Sequence, residues 1–156
     1  MKRTMMVTVA FFVFSSFALF GQSSQSAETS IKQEPQDQAD AKVLREYRGI
    51  KLGLKRDAVR STMGKPENQS DNSEDYKLTG EDLMTVHYDN NEVKAIQLQF
   101  SDPKNAPAWE TVVGDAEVTQ LEHGKTARRV VAKENFWVSI YQNKDATITR
   151  VTISKQ

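Results

Sequence analysis

The sequence predicts an α+β fold in which two units, each a short helix followed by an antiparallel meander, share one sheet with the helices on a single face. Three observations predict it. The segments Lys55–Phe100 and Asn105–Ile153 share one layout. In each, a short helical stretch closes on a glycine, at Met63-Gly64-Lys65-Pro66 and at Val113-Gly114-Asp115-Ala116. In each, two alternating runs then flank a polar turn, Asp89-Asn90-Asn91 or Asn143-Lys144-Asp145. Self-similarity at such a period marks one supersecondary unit used twice around a shared core. Consecutive strands joined by short turns give meanders, and an amphipathic helix must bury its stripe against the sheet.

The elements follow in order. Lys2 and Arg3 precede an apolar run, Met5 to Phe20, and small residues follow up to Ala27. This is the layout of a secretory signal, assigned to residues 1–26. The run is shorter than the roughly 20 residues of a spanning helix. An uncleaved anchor is the alternative, because no clean Ala-x-Ala site is present. Residues 27–40 are rich in Gln, Glu, Asp, Ser and Ala, hold Pro35, and read as a flexible tether. Residues 41–154 are then one domain of two units, about 41–101 and 102–154. An exported protein, periplasmic or secreted, is the expectation.

Val43, Leu44 and Tyr47 share a helical face, which predicts a helix from near Asp40 to Gly49. Ile50, Leu52 and Leu54 then alternate into a second helix carrying Val59 and Met63. Gly64 is its expected left-handed stop, and Pro66 prevents continuation. In the first hairpin Met84, Val86 and Tyr88 alternate with Leu83, Thr85 and His87, and Ile96, Leu98 and Phe100 with Gln97 and Gln99. Pairing the two apolar faces requires an odd loop, so a three-residue loop Asp89-Asn90-Asn91 is expected. In the second unit Pro107 is placed in the first turn of a helix with the stripe Trp109, Val112 and Val113, which Gly114 stops. Phe136, Val138 and Ile140 form one strand face, Trp137, Ser139 and Tyr141 the other, and Val151 and Ile153 supply the last strand. A further strand is expected before each hairpin, near Asp75–Thr79 and Ala127–Lys133.

The segment Gly49-Ile50-Lys51-Leu52-Gly53-Leu54, then Val59, then Met63-Gly64-Lys65-Pro66 resembles the SmpA/OmlA (BamE-like) lipoproteins of the outer-membrane assembly machine. It also resembles the related fold of β-lactamase inhibitory protein. The resemblance covers Tyr47 to Phe100 best. It implies structural roles for Gly53, Gly64, Pro66 and, in the second unit, Gly114. Lys55 stands where these families often carry Ser or Thr, and the lipid-bearing cysteine is absent, since the chain has no cysteine at all.

Chemistry is sparse. The 2 histidines, His87 in a strand and His123 in a turn, are separated, and no Gly-x-Ser-x-Gly elbow exists. No enzyme activity, metal or cofactor is expected. Asp71-Asn72-Ser73-Glu74-Asp75 resembles a calcium loop weakly, but Tyr76 occupies the turn-glycine position, so a solvated acidic loop is the better reading. With 21 Lys and Arg against 21 Asp and Glu, the loss of Lys2 and Arg3 leaves a slightly acidic protein, which argues against nucleic acid.

The expected function is a non-enzymatic envelope protein that binds another protein. The candidate surface is the open sheet face with Trp137, Tyr141, Ser139 and His87, because large aromatics on an uncovered face suit a protein contact. Asp71, Asp75 and Tyr76 are loop candidates. They serve the alternative reading, an inhibitor of a cell-envelope hydrolase such as a β-lactamase whose loop Glu67–Asp75 plugs a cleft. A third reading is a structural envelope protein whose membrane contact is an uncleaved signal.

Overall fold

The computed structural model describes residues 42–156; the expected signal and tether, residues 1–40, lie outside the described residues. Along the chain come β1 (Glu46–Tyr47), β2 (Ile50–Lys51), α1 (Arg56–Met63), β3 (Asn68–Gln69), β4 (Ser73–Lys77), β5 (Leu83–Asp89) and β6 (Glu92–Phe100). Then follow α2 (Trp109–Val113), β7 (Thr119–Leu121), β8 (Gly124–Val131), β9 (Phe136–Asn143) and β10 (Thr149–Lys155). Strands β1 and β2 form a separate hairpin, and the rest make an eight-stranded antiparallel sheet in the order β3-β4-β5-β6-β10-β9-β8-β7. A mostly antiparallel sheet with few helices makes this a small α+β fold.

Alternation fixes which face is buried. Met84 and Val86 stand opposite Leu98 and Ile96, which stand opposite Val151 and Ile153, and these opposite Ile140 and Val138. All eight are buried, together with Val59 from α1 and Val112 and Val113 from α2. The other face carries Thr85, Gln97, Thr152 and Ser139 in the same register.

The structure corrects the first predicted helix. Residues 42–49 contain no helix; Arg48 and Gly49 both take positive φ, 51° and 78°, and turn β1 onto β2 with Tyr47 opposite Ile50. The spacing of Val43, Leu44 and Tyr47 serves a different packing. The Leu44 N–H donates to the Val112 carbonyl at 3.1 Å, Val43 is buried, and the Tyr47 ring meets Phe100 edge-on at 6.2 Å.

The first hairpin is also corrected. Asp89 pairs with Glu92, so the turn is the two residues Asn90-Asn91, with φ of 50° and 62°. Both signs suit the turn whose twist matches a hairpin. The apolar faces still meet, because the register shifts between His87 and Tyr88: His87 faces Ala95 while Tyr88 faces Val93. Lys94 is the extra residue of a bulge, and it does what an odd loop would have done.

The N-cap of α1, Lys55, makes no side-chain capping bond, and Asp57 lies in the first turn. It ends where Gly64 takes φ 82° and ψ −154° and donates its N–H to the Arg60 carbonyl at 2.8 Å. Gly114 ends α2 likewise, with φ 64°, ψ −132° and a bond to the Glu110 carbonyl at 3.1 Å. Positive φ is as expected of the stop, but ψ is extended rather than left-handed helical. Pro107 lies ahead of α2, whose N-cap is Ala108; the proline that does begin a turn is Pro103, in a 3-10 turn at Pro103–Asn105. Gly53 takes φ 80°, and its N–H donates to the Val93 carbonyl at 2.8 Å beside the bulge.

Candidate functional site

The sheet register places each candidate on a face. On the open face one row runs Asp75, Thr85, Gln97, Thr152, Ser139, Arg128. Its neighbours are Leu83, Gln99, Arg150, Tyr141, Thr126 on one side and Ser73, His87, Ala95, Ser154, Trp137, Val130 on the other. Trp137, Ser139, Tyr141 and His87 therefore do share one surface, as alternation predicts, with His87 three strands from Trp137.

The aromatic pair is half-buried rather than fully exposed. The Arg128 guanidinium lies over the Trp137 ring at 4.4 Å, and the Tyr141 hydroxyl donates to the His123 carbonyl at 2.9 Å. Both rings are thus held in place, and a fixed ring loses little entropy on contact. Among the described residues the large apolar side chains most open to solvent are Leu121, Val118 and Val130, 48%, 43% and 42% exposed. Val130 stands directly opposite Trp137. Beyond them a shallow depression of about 360 Å³ opens between Leu83, Gln97, Gln99 and Arg150, where the Arg150 Nε donates to the Gln99 side chain at 3.1 Å. The His87 Nε2 is buried with no hydrogen-bond partner.

Charge is divided across this face. Its β4–β5 side holds Asp75, Lys77 and Asp89. From Ala95 onward, the only charged strand positions on the face are Arg128 and Arg150.

Of the three loop candidates only Asp71 lies in a turn. Asp75 and Tyr76 lie in β4, and β3 pairs with β4 through Asn68–Asp75 and Gln69–Glu74, leaving residues 70–72 as the turn. The expected plug Glu67–Asp75 is thus an ordered sheet edge. The Asp75 carboxylate accepts from the Thr85 hydroxyl at 2.8 Å on the open face, while the Asp71 carbonyl accepts from Arg56 at 2.6 Å. Tyr76 is 2% exposed and belongs to the core. Among the described residues no group of acidic, histidine or cysteine side chains could hold a metal ion.

Sequence reasoning missed the most elaborate polar cluster. Glu74 is buried on the helix side of β4. Its Oε2 accepts from the Tyr76 and Tyr88 hydroxyls at 2.6 and 2.7 Å, and its Oε1 accepts from the Arg60 Nε at 2.8 Å. Burial alone would raise the Glu74 pKa, but the two phenols and the guanidinium outweigh it and hold the carboxyl below its ordinary value. Burial, then the hydrogen bond to Glu74, pushes the Tyr76 phenol up to about 12, and the same two causes raise Tyr88. Every acceptor direction of the carboxylate is filled, so the cluster clasps α1 to the sheet rather than offering a reactive group. The legible signal was the two-residue spacing of Glu74 and Tyr76 on a strand, which puts a carboxylate and a phenol on one buried face.

No protein-family model matches the chain, and no curated protein matches it. Solved structures similar to it include a DUF4309 family protein (YjgB) from Bacillus subtilis. That protein is 13% identical with a TM-score of 0.50, over 78% of this chain and 93% of that one. A cysteine-rich secretory protein from Staphylococcus aureus, 8% identical with a TM-score of 0.39, matches over 67% of this chain and 44% of its own. At such identities the first likeness extends to the fold alone, and fold does not carry function with it.

Proposed function

We propose that the protein is an exported, non-enzymatic envelope module that binds another protein on the open face of its sheet. The observation that carries this reading is the fixed aromatic platform: Trp137 under Arg128, and Tyr141 tethered to His123, beside the exposed Val130. Trp, Tyr and Arg are the side chains that dominate protein interfaces. In the same reading the two halves descend from one BamE-like unit. Each runs helix, glycine stop and four strands, and the strand order is mirrored about the β6–β10 junction.

The test compares the full chain with a Trp137→Ala, Tyr141→Ala double variant in cross-linking from an envelope fraction, with melting curves confirming that both are folded. The double variant should lose its partner at least tenfold. An unchanged partner would remove this face as the site. Mass spectrometry of the mature N-terminus checks export: a terminus near Ala27 is expected, and an intact Met1 would favour the anchor.

A further inference from the structure

The two ends of the sheet differ in how they are finished. At the first end β4 is covered. Asn68 and Gln69 pair with it, and the Glu67 and Ser70 N–H groups donate to the Asp75 and Ser73 carbonyls at 2.8 Å each. At the other end β7 pairs only with Gly124, Lys125 and Thr126. Strand β8 continues to Val131, paired on its inner side with β9 all the way to Phe136. From Ala127 to Val131 its outer side meets no strand among the described residues. Such a run is a template for another strand.

The flanking chemistry narrows what would fit. Arg129 is used internally, donating to Asp115 and to the Val113 carbonyl. Arg128 is exposed and has no carboxylate partner among the described residues, and Val130 is 42% exposed. A second copy of this edge paired about Arg128 or about Arg129 would set that arginine against its own copy, and like charges opposite one another destabilise a ladder.

We propose that the outer edge of β8, from Ala127 to Val131, receives an extended acidic–apolar segment of a partner protein as an added strand, with a carboxylate beside Arg128 and an apolar side chain beside Val130. This rests on the reading of the protein as a binding module, and names how the partner is held. Five residues of strand span about 17 Å, enough for a short linear segment. Backbone bonds along the edge supply the attachment, and the side chains on the open face supply the choice of partner.

The experiment uses the ¹⁵N-labelled full chain and a capped peptide, Ser-Thr-Glu-Thr-Val-Thr-Ser, with its reversed sequence and a version carrying Lys for Glu. The amides of residues 127–131 should shift and exchange more slowly with the acidic peptide in one of its two orders. The Lys version should bind at least tenfold more weakly. Arg128→Glu should reverse that preference, and N-methylation of alternate peptide amides should abolish binding. No shift at residues 127–131 with millimolar peptide would overturn the proposal. Shifts centred on Trp137 and Tyr141 that ignore N-methylation would also overturn it, while leaving the sheet-face reading standing. Concentration-dependent protection of these amides without peptide would mean that a second copy takes the edge, again against the proposal. Conversely, a Trp137→Ala, Tyr141→Ala variant that keeps its partner while the peptide still binds would sink the face and spare the edge.

Discussion

In the first half of the sheet, α1 is tied down by charge: Arg60 reaches over the sheet to Glu74, and Tyr76 and Tyr88 complete the carboxylate's shell. In the second half, α2 is held mainly by apolar burial. Val112 and Val113 are sealed into the core, and the Arg129–Asp115 pair lies at the surface, with Asp115 74% exposed. The same job, keeping a short helix on a sheet, is thus done by two kinds of chemistry. They fail differently. A buried polar clasp broken on one side strands its remaining partners and is sensitive to pH; an apolar contact loses only its packing and does not titrate.

The largest effect expected is at the clasp. Glu74→Ala leaves two buried phenols without an acceptor and Arg60 without its partner, and should cost roughly 3–5 kcal/mol. Val112→Ala, the matching change in the other half, removes two methyl groups and should cost about 2 kcal/mol. Urea unfolding of both variants reads the difference. Equal losses would mean that the clasp contributes no more than ordinary packing.

Next in size is a backbone contact in the second half. A Cβ on Gly124 would lie 2.2 Å from the Gln142 carbonyl oxygen, in the ladder that joins β8 to β9. Gly124→Ala must therefore push two strands apart, at a cost of about 3 kcal/mol. Weakened amide protection should centre on residues 124–126 and 141–143. A neutral Gly124→Ala would show that the two strands can separate there freely.

Acid sharpens the comparison. The Glu74 carboxyl titrates below its ordinary value of 4.5 in the folded protein. The stability it confers is present above that ordinary value and is lost as pH falls through the lower, folded one. At the alkaline end the sign reverses. Tyr76, raised from 10.0 to about 12, contributes below its ordinary value and loses that contribution as pH climbs towards 12. Hydrogen exchange on acidification should therefore open β4 and β5 before β8 and β9. Glu74→Gln should flatten the acid limb of the stability curve, whereas Val112→Ala should shift the whole curve without changing its shape. An acid limb unchanged in Glu74→Gln would assign it to other carboxylates, such as Glu92 beside Lys55 or Glu134 beside Arg45.

The difference between the halves also explains what was readable beforehand. Alternation at Ile96, Leu98 and Phe100, and at Phe136, Val138 and Ile140, is a strong signal because each strand has one wet and one dry face. It placed Trp137, Ser139, Tyr141 and His87 on one surface. It failed where local pattern and tertiary need diverge. Val43, Leu44 and Tyr47 fit a helical stripe, yet the Arg48-Gly49 turn folds that segment back and Val112 takes its hydrogen bond. The bulge was written in the sequence as a break in period: the buried residues Val93 and Ile96 are three apart where a regular strand needs two or four. Of the Glu74 cluster only the Glu74–Tyr76 spacing was legible, because Arg60 and Tyr88 come to Glu74 from two other elements, α1 and β5.

The smallest effect tests how alike the two halves are. Gly64 and Gly114 end their helices with nearly the same backbone shape, positive φ with extended ψ, and both donate to the carbonyl four residues back. That region is populated almost solely by glycine, and strain there is of order 1–3 kcal/mol for a residue with a Cβ. At Gly64 a methyl group would meet nothing within 4 Å, so Gly64→Ala isolates the backbone cost, expected near 2 kcal/mol. If the halves are copies of one unit, Gly114→Ala should cost the same within about 0.5 kcal/mol, and the double variant should show the sum, because the two stops end separate helices. Urea midpoints of the three variants decide the matter. A Gly114→Ala loss far below that of Gly64→Ala would mean that the second stop only imitates the first, and the common origin of the halves would fall with it.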